Sequence, residues 1–192
     1  MGIFKHAWIW GVIILLLSLL NIPFFNNYAM KQVQAEQEYV ASLFGYQTGV
    51  KIRARTDKFY EANLLKWQMR TRSMAMSDRE SFSFKVYQSV WSSVYQSIFR
   101  FFVAMEFGLY LLPIIVAALI DGLSMRKVKT ENLGWFSPVK YHGSLHGVVA
   151  LLGLALAYLT LPFAVPPHLV VIWYIALGVL ISVAARNLQR ML

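Results

Sequence analysis

Residues 101–120 read FFVAMEFGLYLLPIIVAALI. Apart from Glu106 and Pro113 this run is apolar and nearly unbroken. About 20 such residues suffice for a helix to cross a bilayer. Three further stretches meet the same criterion: Trp8 to Phe25, Gly147 to Val165 and Leu169 to Ala185. Four such segments in 192 residues argue against buried helices of a water-soluble domain. They predict an all-α membrane protein with four transmembrane helices. The composition agrees. Hydrophobic residues are 58% of the chain and charged residues 14%, against about 25% charged in a typical soluble domain. Extensive disorder is excluded by the same numbers. The absence of cysteine excludes disulfides, thiolate metal sites and thiol redox chemistry.

The first segment follows Lys5, as a signal peptide would, but Phe24, Phe25, Asn26, Asn27 and Tyr28 offer no small-x-small cleavage site. It is read as an uncleaved anchor. Orientation follows from Lys and Arg in the short loops. The segment 121–143 carries Arg126, Lys127, Lys129 and Lys140; Arg186 and Arg190 follow the last span, and Lys5 precedes the first. The connection Ala164 to His168 carries none. Both termini and the 121–143 loop are therefore expected in the cytoplasm, with residues 26–100 on the outer side of the membrane. Ten basic residues lie between Lys31 and Lys85, but that loop is too long for its charge to set topology. Its six acids offset part of the charge. The net charge of +9 is thus split over both sides of the membrane. It makes no concentrated nucleic-acid footprint, and no direct nucleic-acid binding is expected. The domain plan is an anchor at 1–25, a periplasmic helical region at 26–100 and a three-helix membrane region at 101–192.

Residues 26–97 hold twelve aromatics and no proline, too apolar for a solvated linker. Gly45 and Gly49 bracket a break. Before it, Met30 to Phe44 is rich in helix formers; after it, Tyr60, Leu64, Trp67, Thr71 and Met74 recur at helical spacing. Ser77-Asp78-Arg79-Glu80 has the form of a capping box. From it a stripe runs through Tyr87, Trp91, Val94, Ile98, Phe101, Met105, Gly108 and Leu112, alternating steps of four and three. This predicts one helix from Asp78 to at least Leu112, projecting about 30 Å from the lipid at 1.5 Å per residue. A helix over 50–76 is expected to fold back along it as a periplasmic hairpin. Pro113 should kink the span.

Several residues bear on chemistry. Glu106 is a carboxylate within a span, which by default marks a function or a buried partner. Asn21 lies at comparable depth in the first segment. A proton relay needs groups in series, and the last two segments offer none at mid-depth, so an interfacial, hydrogen-bonded Glu106 is the better reading. His142 and His146 stand one turn apart, but two imidazoles are not a metal site and the zinc-protease pattern is missing. No metal or cofactor is expected. Gly143, Gly147, Gly153 and Ala157, with Gly178 and Ser182, make small faces that let helices approach closely in lipid. No phosphate-binding loop and no nucleophile elbow occur, and no enzymatic activity is expected.

The layout of a short N-terminus, an anchor, a basic aromatic-rich helical region and three further spans with a basic middle loop resembles a family of conjugative-element inner-membrane proteins. Its members have no assigned function and are encoded beside the type IV coupling ATPase. The resemblance runs from Phe4-Lys5-His6-Ala7-Trp8 through Leu133-Gly134-Trp135 to the last span. It implies a non-catalytic accessory subunit of a conjugation, or type IV secretion, system. Such a subunit would bind and stabilise the membrane domain of the coupling ATPase or other channel subunits. Contacts are expected through Tyr87, Trp91, Val94 and Ile98 and through the small faces, which also offer self-association. The alternative is a small proton- or solute-conducting protein centred on Glu106.

Overall fold

The computed structural model describes residue 12 and residues 26–75, 82–132, 135–161 and 164–188. The anchor segment with Asn21, and the Ser77–Glu80 capping box, lie outside the described residues. Among the described residues there are six helices and no strand: α1 (Asn26–Phe44), α2 (Tyr46–Asn63), α3 (Leu65–Ala75), α4 (Phe82–Glu131), α5 (Pro138–Thr160) and α6 (His168–Arg186). Three of them, α4, α5 and α6, are long and apolar enough to cross a membrane.

The helix boundaries follow from local chemistry. Gly45, at φ 88°, makes the break between α1 and α2, a conformation that glycine adopts without a Cβ penalty. Its carbonyl accepts from the N–H groups of Thr48 and Gly49 at 3.1 and 3.2 Å, starting α2. Gly49 therefore lies inside a helix rather than at the break. The single helix expected over 50–76 is two, parted at Leu64. The interruption is slight, since Leu64 N–H still bonds the Tyr60 carbonyl at 2.8 Å and Gln68 N–H the Leu64 carbonyl at 2.9 Å. α2 and α3 together form one nearly continuous rod.

The expected 121–143 loop is much shorter in the structure. α4 runs on through Pro113 to Glu131, and α5 begins at Pro138. A proline inside an apolar helix removes one donor, a defect that membrane helices tolerate. Residues 121–131 carry good helix formers and no glycine after Gly122, so nothing local stops the helix at the end of the apolar run.

The chain divides into two compact units, Met1–Glu106 with Leu156–His168, and Phe107–Ala155 with Leu169–Leu192. The first takes in the turn that follows α5. Its core combines Val33, Glu36 and Val40 of α1, Ile52, Thr56 and Tyr60 of α2, and Phe99, Arg100, Val103 and Glu106 of α4. In the second unit Val170, Leu177, Gly178 and Ala185 of α6 are buried, with Gly122 of α4 and Gly153 of α5.

Candidate functional site

Two charged clusters organise the first unit. Glu106 is 4% exposed. Its carboxylate accepts from Lys51 Nζ at 2.8 Å and from Arg55 Nη1 at 2.6 Å, both from α2. The spacing of Lys51 and Arg55, one helical turn, lets both reach the same acid. Both cations remain about half exposed while the acid is covered. The carboxylate is thus neutralised by protein, by two cations that are themselves only partly covered.

The second cluster is buried throughout. Arg100 is fully buried and Glu36 is 2% exposed. Arg100 donates from Nε to Glu36 Oε1 at 2.9 Å and also from Nη2 to the same oxygen. Its Nη1 donates to the carbonyls of Tyr158 and Leu161 at 2.8 and 2.7 Å. These carbonyls lie at the C-terminal end of α5, where intrahelical donors run out and a cation is favoured. Glu36 in turn accepts from the N–H of Val165 at 2.9 Å, and Gln32 accepts from the N–H of Ala164 at 2.6 Å. The Tyr158 ring lies 5.3 Å from the guanidinium. One buried ion pair thereby joins α1, α4 and the turn after α5. Its donors and acceptors are paired, which is the condition for a tolerable buried charge.

Aromatic contacts join the α2–α3 rod to α4. Tyr95 Oη donates to Asp57 at 2.6 Å, Tyr87 Oη to the Gln68 carbonyl at 2.9 Å, and Trp91 Nε1 to Thr71 Oγ1 at 3.2 Å. Tyr60 meets Trp91 and Tyr95 edge-on, and Phe59 meets Phe102 with ring centres 5.9 Å apart. As numbers rise on the rod they fall on α4, from Lys51 with Glu106 to Gln68 with Tyr87. The two segments therefore run antiparallel. Burial, with Tyr87 adding to it, pushes the Tyr60 phenol up to about 12, so the ring stays neutral at physiological pH.

The residues singled out in the sequence fall in different surroundings. Tyr87 and Trp91 spend their polar atoms on the chain's own α3. Ile98 lines an open apolar recess of about 250 Å³ with Phe59, Ser97, Phe101 and Phe102. Val94 is half-buried. Gly147 lies against Leu180, where an added Cβ would come within 2.9 Å of the side chain, and Gly178 lies near Ala118. Ser182 donates to Asp121 at 3.2 Å. Gly153 and Ala157 are buried, whereas Gly143 faces open space. His142 and His146 are exposed, and no group of three metal-ligating side chains exists among the described residues.

Among the residues that escaped the sequence reading are Lys51 and Arg55, which look like ordinary surface cations, and Glu36, Arg100 and Gly122. Arg100 sits at the edge of the apolar run and looks like a flanking charge. Glu36 is one acid in a polar helical stretch. Gly122 follows Asp121 and looks like the start of a loop. In the structure, a Cβ on Gly122 would lie 2.6 Å from the Ser182 carbonyl oxygen and 2.8 Å from Ala185 Cβ.

These features define an all-helical protein with three helices suited to crossing a membrane and a charge-clasped helical unit. The chain belongs to the DtrJ-like family, described as IncC plasmid conjugative DNA transfer protein DtrJ-like, whose family model matches residues 25–189. Its general role is therefore in conjugative DNA transfer. No curated protein and no solved structure matches the chain.

Proposed function

We propose that this protein is a non-catalytic inner-membrane accessory subunit of the conjugation apparatus, which binds and stabilises the membrane domain of the coupling ATPase. The single observation that carries the reading is the family match over residues 25–189. The use of the intramembrane charge supports a binding role. Glu106 is held by Lys51 and Arg55, an arrangement suited to fixing a helix rather than passing protons along a series of carboxylates.

The proposed topology has four spans, both termini in the cytoplasm and residues 26–100 in the periplasm. The Lys and Arg distribution favours it. So does the clasp: the hydrogen bonds from Val165 and Ala164 to Glu36 and Gln32 require the turn after α5 to share a side with α1. The partner is met through the apolar helices in the lipid and through the helical region beyond it.

The test is purification of the tagged chain in mild detergent from donor cells, with mass spectrometry of what accompanies it. A stoichiometric coupling ATPase is expected. A homo-oligomer free of any transfer-system protein would overturn the reading.

A further inference from the structure

The α2–α3 rod carries seven basic residues against two acidic ones. At one end Lys51 and Arg55 are engaged by Glu106, and Arg53 lies 3.9 Å from Asp57. Beyond them Lys58, at mid-rod, and Lys66 and Arg72, further along, are exposed, and Trp67 and Met69 are each 60% exposed. α4 lies against the Gln68 and Thr71 side; Trp67 and Arg72 flank that side on either hand, and Lys66 and Met69 face away from it. Large apolar side chains set among cations on an uncovered helix are costly in water and typical of an interface, where Trp and Arg dominate the binding energy.

We propose that this stretch of the rod, centred on Lys58, Lys66, Trp67, Met69 and Arg72, is a docking surface for an acidic face of a partner protein outside the membrane. The proposal rests on the accessory-subunit reading and deepens it by giving the partner's chemistry.

Geometry separates this occupant from the other polyanions. The rod follows α4 away from Glu106, so Lys66 and Arg72 lie fifteen and twenty-one residues beyond Lys51, about 22 and 32 Å at 1.5 Å per residue. Screening reduces exposed electrostatics beyond about 8 Å at physiological salt. A lipid surface that meets α4 near Glu106 therefore does not attract Lys66 and Arg72. Single-stranded nucleic acid is held in a charged groove with stacking platforms, whereas this surface is the convex side of a helix. A protein surface that offers carboxylates around an apolar pocket for Trp67 satisfies both the charge and the shape.

The test uses the full-length chain in donor cells, as wild type, as the triple variant Lys58→Glu/Lys66→Glu/Arg72→Glu, and as Trp67→Ala. All the changed side chains are exposed, and circular dichroism of each purified variant checks that the helices persist. In mild detergent the wild type should retain the coupling ATPase or another identified transfer-system protein, with retention falling as salt rises. The triple variant should lose that protein even at low salt. Trp67→Ala should weaken retention about tenfold, as for an interface anchor.

Equal retention by wild type and triple variant at every salt would overturn the docking surface while leaving the accessory-subunit reading intact. If the wild type retains no transfer-system protein, the accessory-subunit reading falls. The surface is then decided by binding of the purified chain to poly-L-glutamate, oligo(dT) and phosphatidylglycerol vesicles. Binding of poly-L-glutamate that the triple variant abolishes supports it. Preference for oligo(dT) or vesicles, or equal binding by the variant, overturns it.

Discussion

The two compact units use opposite materials to hold helices together. In the first, buried charge does the joining: Arg100 with Glu36, and Glu106 with Lys51 and Arg55. In the second, helices touch where side chains are missing, at Gly122 against Ser182 and Ala185 and at Gly147 against Leu180. The difference follows from the surroundings each must work in. Between helices in lipid there is no hydrophobic drive to associate, so close backbone packing is the available source of cohesion. A slender helical region has little apolar core, and directional polar contacts give it a defined arrangement.

The contrast makes graded predictions. Arg100→Met should have the largest effect, because it leaves Glu36 buried without its cation and two carbonyls without their donor. Breaking such a pair costs about 3–5 kcal/mol, to be read by unfolding in detergent. The double variant Arg100→Met/Glu36→Leu should recover much of that loss, since no uncompensated charge remains. If the double variant is no better than Arg100→Met alone, the ion pair is not the source of the stability.

Gly122→Ala should cost about 1–3 kcal/mol, the range for overpacking a tight contact. The Ser182 carbonyl, as backbone, cannot step aside as a side-chain tip would. A neutral Gly122→Ala would show that the second unit is not held by close approach.

Glu106→Gln should cost less, about 1 kcal/mol, because the two cations that lose their partner are half exposed and return to water. Gly143→Ala should be the mildest and of opposite sign. Its side chain meets open space, so the change should gain about 0.5–1 kcal/mol of helix propensity. The same substitution at Gly147 should lose that gain to the contact with Leu180.

The helical class and three helices long and apolar enough to cross a membrane were legible from segment length. The burial pattern was not. The apolar stripe along α4 leaves Phe101, Met105 and Leu112 exposed, while Ser89, Gln96, Arg100 and Glu106 are covered. In water an apolar stripe marks the buried face. For a helix in lipid the apolar face can point outward, and polar groups are the ones that need cover. The outer part of the same stripe does make contacts, since Tyr87 and Trp91 bond α3. The clasps were hidden for another reason: Glu36 and Arg100 are 64 residues apart, and nothing in local sequence pairs them. The helical course of 121–131 was hidden because a fall in hydropathy was taken for the end of the helix.

The most direct test of the account is the conjugative transfer frequency of a donor from which this chain has been deleted, complemented with wild type or with Glu106→Gln. The account predicts that transfer collapses on deletion, returns with wild type and returns equally with Glu106→Gln, because the carboxylate fixes helices and conducts nothing. Undiminished transfer without the chain would contradict its place in the apparatus. Restoration by wild type but not by a stably inserted Glu106→Gln would contradict the non-catalytic reading and return Glu106 to the centre of a conducting one.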